Sequence, residues 1–484
     1  MAKQKSVKFN FIMESILTMS TFIFPLITFP YVTRILGANG TGKVAFATSI
    51  ISYFNIIAQL GIPKYGIRAC AKVRDDKEKL TRTAHELLII NIVMSLISYL
   101  LLASAIILIP KLRHEKLLYI IISFTILFNT IGMEWLYKAL EQYAYITVRS
   151  IIFKFIALLS MFMFVRHEGD YQIYGAVSIL AASASNIFNF IHVHKYISMK
   201  PVGNYNYRQH LKAVAVFFAM ACATTIYTHL DTVMLGFMKT DDDVGYYNAA
   251  VKIKVILVSV VTSLGTVLLP RVSYYIQQGK TEEFRKITRK ALNFVMLIAT
   301  PLTVYFIMFA KAGILFLSGK NFYDSIVPMQ LIMPTLILIG LSNITGIQVL
   351  VPLGKEKVVL YSEIAGAVVD LALNAVLIPF MASSGAAIGT LVAEFVVLAY
   401  QYNALKDQLS EDLKKIHYFK ILAAIAAGSL GSVWVLWLGL GSFLTLLISS
   451  VIFFGLYGVT LLILKEKLVN EIFEQVIGKI KKRF

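Results

Sequence analysis

Charged and amide side chains embedded in otherwise apolar stretches are the residues of this sequence equipped for chemistry. Lys252 and Lys254 lie in one such stretch, Glu363, Asp370 and Asn374 in another, Glu394 in the next, and Glu14 and Glu134 in two more. A charge near the middle of a bilayer costs at least ~2.5–3.5 kcal/mol, so a residue kept there is expected to meet a partner or a ligand. On a helix Lys252 and Lys254 point about 200° apart. The stripe of Asn248, Lys252, Ser259, Ser263 and Thr266 is polar, whereas that of Tyr247, Lys254, Val258 and Val261 is mostly apolar. Lys252, with Asn248 beside it, is therefore expected to face a cavity and bind an anion, and Lys254 to snorkel or to pack between helices. Steps of seven and four put Glu363, Asp370 and Asn374 on one helical face. With Glu394 they form the most acidic intramembrane group, suited to a proton or cation relay or to interhelical hydrogen bonding. Glu14 and Glu134 are expected either to share in such coupling or to find packing partners on other helices.

These residues are positioned by fourteen apolar runs, the first beginning near Phe11 and the last near Ser442. Each is about twenty residues long, the length a helix needs to cross a hydrocarbon core of roughly 30 Å. The composition, 58% hydrophobic against 15% charged, agrees. Of the 46 Lys and Arg, 34 fall at the two ends of the chain and in alternate gaps, against 9 in the complementary gaps. By the positive-inside rule both termini are then cytoplasmic. The net charge of +19 faces a leaflet of anionic lipid, and nucleic acid is not expected as a partner. The first run follows Lys3, Lys5 and Lys8 and is long enough to be expected to stay in the membrane. The fold expected is all-α and polytopic, with about fourteen transmembrane helices.

The longest outer gap, Lys311 to Val327, is too short to fold as a domain, and there is no P-loop, no HExxH motif and no Cys/His cluster. Cys70 and Cys222 would lie at different depths, so neither a disulfide nor a metal site is expected. No nucleophile, base and orienting group can be assembled from the sequence, and transport rather than catalysis becomes the leading class. No cofactor is expected, and coupling to a proton or sodium gradient is the energy source the acidic residues could serve. The proline pairs Pro25/Pro30 and Pro328/Pro334 would bend their helices.

The chain also repeats itself. R-I-L-G at Arg34–Gly37 leads to G-K-V-A-F-A at Gly42–Ala47, as V-M-L-G at Val233–Gly236 leads to V-G-Y-Y-N-A-A at Val244–Ala250. Tyr174–Val177 (Y-G-A-V) likewise parallels Ser384–Ala387 (S-G-A-A). Two parallel-repeat lobes of six helices are expected, 1–212 and 213–420, followed by helices thirteen and fourteen at 421–464 and a basic tail at 465–484. In that tail Val469, Ile472, Phe473, Val476, Ile477 and Ile480 share a stripe, and Lys479, Lys481, Lys482 and Arg483 crowd its end. The pattern suits an amphipathic helix on an anionic membrane surface.

Pro25–Lys43 (PLITFPYVTRILGANGTGK), Asp231–Gly236 (DTVMLG) with Val244–Lys252 (VGYYNAAVK), and the stretches DLALNAVLIP and GAAIGTLVAE within Asp370–Glu394 resemble the polysaccharide-biosynthesis flippases. That family shares a superfamily with multidrug and toxin extruders and with peptidoglycan lipid flippases. The resemblance implies two lobes around a cationic cavity, alternating in access. It implies that polyprenyl (undecaprenyl) diphosphate-linked oligosaccharides cross to the outer leaflet of a bacterial plasma membrane for capsule or exopolysaccharide assembly. Implied partners are that substrate, membrane lipids, and the polymerase and export components of the pathway. On this resemblance Lys252 meets a diphosphate or sugar acid, and Arg34 offers a bidentate fit to phosphate oxygens or anchors at the interface. Asp231 organises the cavity, pairing with Lys252, or caps a helix end. Peptidoglycan lipid flippases carry arginines near the stretch matching Ser52–Asn55, which this chain lacks. An ion-coupled drug exporter would be expected to have twelve spans, and a membrane polymerase or ligase would need a larger outer loop.

Overall fold

The computed structural model describes residues 6–414, 416–471 and 473–474, and among these the only regular elements are helices. Contacts divide the chain into two units, Met1–Gly245 and Tyr246–Phe484. The first holds α1 (Val7–Gln59), α2 (Ile62–Lys72), α3 (Lys77–Leu108), α4 (Pro110–His114), α5 (Lys116–Gly132), α6 (Glu134–Ala139), α7 (Tyr143–Phe164), α8 (Tyr171–Ile179), α9 (Asn186–His192), α10 (Arg208–Met238) and the start of α11 (Asp241–Gln277). The second holds the rest of α11, then α12 (Thr281–Met308), α13 (Ala310–Leu317), α14 (Ile326–Ile332), α15 (Thr335–Ser342), α16 (Glu356–Lys414), α17 (Tyr418–Ser432) and α18 (Ser442–Ile463). Of the tail stripe, Ile472, Val476, Ile477 and Ile480 and the terminal Lys479, Lys481, Lys482 and Arg483 lie outside the described residues.

Among the described residues, eleven helices are long and apolar enough to cross a membrane. The number is twelve if Lys320–Ile332 and Thr335–Leu350, bent by 45°, form one span. The break falls at Met333 and Pro334, where proline withholds a backbone donor. The protein is a multi-pass membrane protein. Two of its apolar helices, Phe9–Lys72 and Glu356–Asp407, have 64 and 52 residues. One crossing takes about twenty, and both segments are interrupted. Gly37 (φ 66°, ψ −170°) breaks α1 in a conformation that only glycine adopts freely, and Ala382 (φ 47°) breaks α16. Beyond Ala382 the helix returns along itself. Gln401 donates to Ser362 at 3.1 Å, Gly385 lies against the Leu377 backbone, and Gly389 lies against Asn374 and Asp370.

Hydrogen bonds set the registers of the first unit. Thr147 donates to the Met13 carbonyl at 3.0 Å, Lys154 to Ser20 Oγ at 2.6 Å and Tyr31 to the Val165 carbonyl at 2.9 Å. Each pair is 134 residues apart, so the first arm of α1 and α7 run parallel without slipping. The second arm runs antiparallel to α3, where Asn91 and Ser98 donate to the carbonyls of Ala58 and Phe54. In the second unit Tyr305 of α12 donates to the Leu446 carbonyl of α18 at 2.9 Å, and Tyr457 of α18 returns a bond to Leu297 at 2.8 Å. Large apolar side chains such as Leu100, Phe380 and Trp437 stay on the outside, while Glu86, Asn91, Ser98 and Asn374 are buried. Lipid is as apolar as leucine, so small and polar side chains are what join the helices.

The repeated motifs meet. A Cβ on Gly42 would overlap the carbonyl of Asp241, and one on Gly245 would overlap the carbonyl of Ala38. Asn39 donates to Asp242 at 3.0 Å, and these two residues are 203 apart in sequence. The same offset carries Ala38 onto Asp241 and Gly42 onto Gly245, so the contact is exchanged between the motifs as across a local two-fold axis. Backbone sits against backbone here, and no side-chain rotation can relieve an added methyl. Gly245→Ala is expected to cost about 1–3 kcal/mol and to lower the thermal midpoint of the purified protein by several degrees. Gly169→Ala, with open space around it, should leave the midpoint unchanged. Equal midpoints would remove this crossing as a structural constraint.

Candidate functional site

Glu134 opens α6 directly after Met133, whose left-handed φ of 42° turns the chain out of α5. One helical turn later Lys138 places its Nζ 3.1 Å from Glu134 Oε1 and 3.6 Å from Glu14 Oε1 on the first arm of α1. Near the start of α7, Arg149 lies with Nη2 3.8 Å from Glu134 Oε2, its guanidinium 6.0 Å from the Tyr145 ring centre. Its side chain is only 7% exposed. Among the described residues, Nε and Nη1 of Arg149 meet no hydrogen-bond acceptor. Lys154, further along the same helix, reaches Ser20. Three cations, Lys138, Arg149 and Lys154, thus gather around two carboxylates. A planar guanidinium with two buried, unengaged nitrogens is suited to accept a phosphate or carboxylate.

The sequence reading named Glu14 and Glu134, and the structure joins them through Lys138. It assigned no role to the three basic residues. Their signals were Lys154 within an apolar run and the Glu134/Lys138 spacing of one helical turn.

Arg34 stands exposed near the end of the first arm of α1, its Nη1 bonded to the Pro30 carbonyl of its own helix. Asp231 is buried on α10, two residues from His229, which meets Ser49 at 3.1 Å. At the glycine crossing, Lys43 pairs with Glu115 at 2.7 Å and lies over the Tyr171 ring, whose hydroxyl donates to the same carboxylate at 2.8 Å. Lys111 donates to the carbonyls of Gly236 and Lys239 and lies 3.7 Å from Asp241.

In the second unit Tyr247, Leu257 and Val261 are buried on α11, whereas Asn248, Lys252 and Ser259 are partly exposed and Ser263 is exposed. The side chain of Thr266, the last of that polar stripe, lies outside those described. Lys254 lies on the mostly buried side, and Tyr247 bonds Thr390 of α16 at 2.9 Å. Asp370 and Asn374 are buried on the outgoing arm of α16, close to Gly389 on the returning arm, which also carries the buried Glu394. Glu363 lies nearer the start of that helix and is partly exposed.

A further buried cluster was not recognised in the sequence. Glu86 Oε2 accepts from His210 Nε2 at 2.7 Å and from Gln209 at 3.0 Å, and its Oε1 accepts from the Asn206 amide at 2.6 Å. Tyr65 of α2 meets the other nitrogen of His210 at 2.8 Å, while His85 bonds Tyr205 and the Ser198 carbonyl. These bonds fasten the connection before α10 onto the start of α3. Glu86 was hidden because it ends what reads as a mixed-charge loop.

Charges held inside the packing of many apolar helices make this a polytopic membrane protein with polar chemistry at membrane depth, and comparisons with known proteins narrow the class. A family model described as "Polysaccharide biosynthesis protein" matches residues 7–276, and one described as MatE matches residues 216–376. The chain belongs to the polysaccharide biosynthesis protein family. It is 26% identical over 396 residues to the "Putative O-antigen transporter" of Escherichia coli (strain K12), covering 81% of this chain and 95% of that one. A protein of the same name from Shigella dysenteriae is 24% identical over 418 residues, covering 83% of this chain and 100% of that one. In fold it is similar to the lipid II flippase MurJ in an inward closed conformation, with a TM-score of 0.73, 16% identity, and 96% and 99% of the two chains covered. It also resembles an inward-facing multidrug resistance MATE transporter of the MOP superfamily, with a TM-score of 0.65, 14% identity, and 84% and 99% covered.

If Lys138 is the shared partner of Glu14 and Glu134, Lys138→Gln should lower the melting midpoint by leaving two carboxylates facing each other. Adding Glu134→Gln should then recover at least half of that loss, a coupling of about 1 kcal/mol. Strictly additive midpoints across the four proteins would dissolve the cluster.

Proposed function

We propose that the protein is a flippase that moves polyprenyl diphosphate-linked oligosaccharide repeat units from the cytoplasmic to the outer leaflet of a bacterial plasma membrane, for capsule or exopolysaccharide assembly. It is not an enzyme on this reading. The observation that carries it is the buried Arg149, with two guanidinium nitrogens unengaged beside Lys138 and Lys154, in a chain whose relatives are named O-antigen transporters. A diphosphate brings acceptor oxygens to match those donors. Fourteen crossings follow if the bent pair is one span and each arm of the two interrupted helices crosses the membrane, which puts both termini on one side, and the excess of Lys and Arg makes that side the cytoplasm. Transport then proceeds by alternating access of lobes 1–212 and 213–420, with the prenyl tail left in lipid. Arg34, Asn248, Asp231 and Lys252 are further substrate contacts. The polymerase and export machinery of the pathway are the partners that receive the flipped unit.

Coupling is proposed at the acidic residues. Asp370, Asn374, Glu394 and Glu363 in the second unit, and Glu14 and Glu134 in the first, offer carboxylates to a proton or sodium ion. The MatE match over residues 216–376 includes Glu363, Asp370 and Asn374 and lends weight to an ion-driven step there.

Reconstituted protein with a labelled lipid-linked oligosaccharide tests both parts. Arg149→Ala should reduce flipping at least tenfold at unchanged protein level, and Arg149→Lys should restore only part of it because the planar fork is lost. Lys252→Ala should be damaging and Lys254→Ala mild. Full activity of Arg149→Ala would refute the proposed phosphate site, and equal effects at the two lysines would sink the assignment of helical faces.

Asp370→Asn separates coupling from packing. Asparagine keeps the shape and the hydrogen bonding but carries no charge, so a structural role predicts normal transport. A coupling role predicts retained substrate binding, slowed flipping, and a deficit that widens as the imposed gradient rises, since each charge moved is worth about 2.3 kcal/mol per 100 mV. Gradient-driven transport at the normal rate by the Asn variant would take Asp370 out of the mechanism.

A further inference from the structure

The second arm of α1, from Ala38 to Gln59, belongs to an apolar span, yet none of its large apolar side chains is fully exposed. On α3, by contrast, Ile92, Leu96, Leu100 and Leu108 all stand exposed, as befits a helix against lipid. The arm is covered by three neighbours. Asn91 and Ser98 of α3 reach the carbonyls of Ala58 and Phe54. From α5, Asn129 donates to Asn55 at 3.3 Å, and Thr130 accepts from Gln59 at 3.4 Å. α10 packs antiparallel, with Gly236 against the Phe46 ring, His229 3.1 Å from Ser49, and the Phe217 and Phe218 backbone against Gly61.

What stays open is a strip between the α5 and α10 contacts, and it is polar. Thr48 is exposed and Ser52 and Asn55 are partly exposed, at helical steps of four and three. Thr228 and Thr224 are exposed on α10 about level with Ser52 and Asn55. Helical spacing turns them to the same side of the α1–α10 seam. Asn129, partly exposed, stands on the α5 flank. A polar strip with a helix on either side, on an arm screened from lipid, lines water rather than hydrocarbon.

The hydrogen-bonding character of the strip is mixed. Thr48, Ser52, Thr224 and Thr228 each donate to the carbonyl one turn back in their own helix, at 2.7, 2.8, 3.0 and 2.7 Å, which leaves the hydroxyl oxygens as acceptors. Asn55 is the opposite case. Its oxygen accepts from Asn129, which accepts from Asn186 at 3.4 Å, which accepts in turn from the buried Asn189 at 3.4 Å. The amide hydrogens of Asn55 are then left as donors to the strip. A cation would use only the acceptors and a phosphate only the donors, whereas each hydroxyl of a sugar both donates and accepts.

We propose that this groove holds the saccharide of the substrate, with Ser52, Asn55 and Thr228 as its principal contacts. The assignment rests on the flippase reading above and divides the substrate in two, its sugar held by α1, α5 and α10 and its diphosphate by Arg149 on α7.

Binding to the full chain in neutral detergent tests this with two probes, the lipid-linked repeat unit extracted from the source strain and undecaprenyl diphosphate without sugar. The parent should bind the first at least tenfold more tightly. One neutral hydrogen bond is worth about fivefold in affinity. Ser52→Ala with Thr228→Val should therefore weaken the glycosylated lipid about twenty-five-fold and leave the bare lipid unchanged. Ser104→Ala with Ser450→Ala, whose hydroxyls also bond back along their own helices, should alter neither. Equal affinity of the parent for the two lipids, unchanged binding by the first pair, or equal loss of both lipids overturns the saccharide site and leaves the diphosphate reading standing. A parent that binds neither lipid refutes the flippase reading, and this site falls with it. If the first pair melts below the parent, the single variants, each expected to lose about fivefold for the glycosylated lipid alone, decide the matter.

Discussion

Hydrocarbon supplies no hydrogen bonds, and the arrangement of this protein follows from that one deficit. A polar group among the helices must find its partner within the protein, at a cost of several kcal/mol if it fails. The side chains that join helices are accordingly those that can reach a neighbour's backbone: Asn91 to Ala58, Ser98 to Phe54, Thr147 to Met13, Tyr457 to Leu297. Each bond also fixes an axial position, and three at a constant separation of 134 residues prevent α7 from sliding along α1. Apolar area cannot do this work, because a leucine gains nothing by leaving lipid for another leucine.

The same deficit explains the glycines at the crossing of the repeated motifs. Where two backbones touch, dispersion and short contacts replace the missing hydrophobic force, and only residues without a Cβ permit the approach. Gly42 against Asp241 and Gly245 against Ala38 are two instances of one contact. The polar bonds around them are individually weak. Asn39–Asp242 is exposed, and Lys111–Asp241 is partly exposed at 3.7 Å. Pairs of that kind are worth about 0–1 kcal/mol each. Close packing therefore holds the crossing, and the ions set its register.

Much of this was legible in the sequence, in proportion to how local the signal was. Apolar run length gave the helices, and the motifs around Gly42 and Gly245 were visible as a repeat, though not as partners in one contact. The spacing of Asp370 and Asn374 placed them on one face, and both are buried toward Gly389. What escaped was non-local. Glu14 and Glu134 were visible as charges, but their shared partner, Lys138, looked like an ordinary loop lysine. Glu86 and His210 lie 124 residues apart, and nothing in either segment announces the other. The breaks at Gly37 and Ala382 fall in the gaps expected between the first and second apolar runs and between the eleventh and twelfth, although helical hydrogen bonding continues up to each break.

The buried charges fall into two physical kinds. Glu86 has donors on both oxygens, and His210 has partners on both nitrogens. Such a cluster is complete, and completeness is what a structural fastening needs. Arg149 is the opposite case. Its burial costs several kcal/mol of lost hydration, and the compensation visible in the protein is one carboxylate at 3.8 Å, beyond good hydrogen-bond length, and an aromatic ring 6.0 Å away. A guanidinium so placed keeps donors that the surrounding side chains do not engage, and the proposed phosphate contact rests on them. Arg34 differs again, because its donor is turned back onto the Pro30 carbonyl and its side chain is exposed. On the proposed function Arg34 would meet substrate at the exposed end of its arm, whereas Arg149 would hold it within the helix packing.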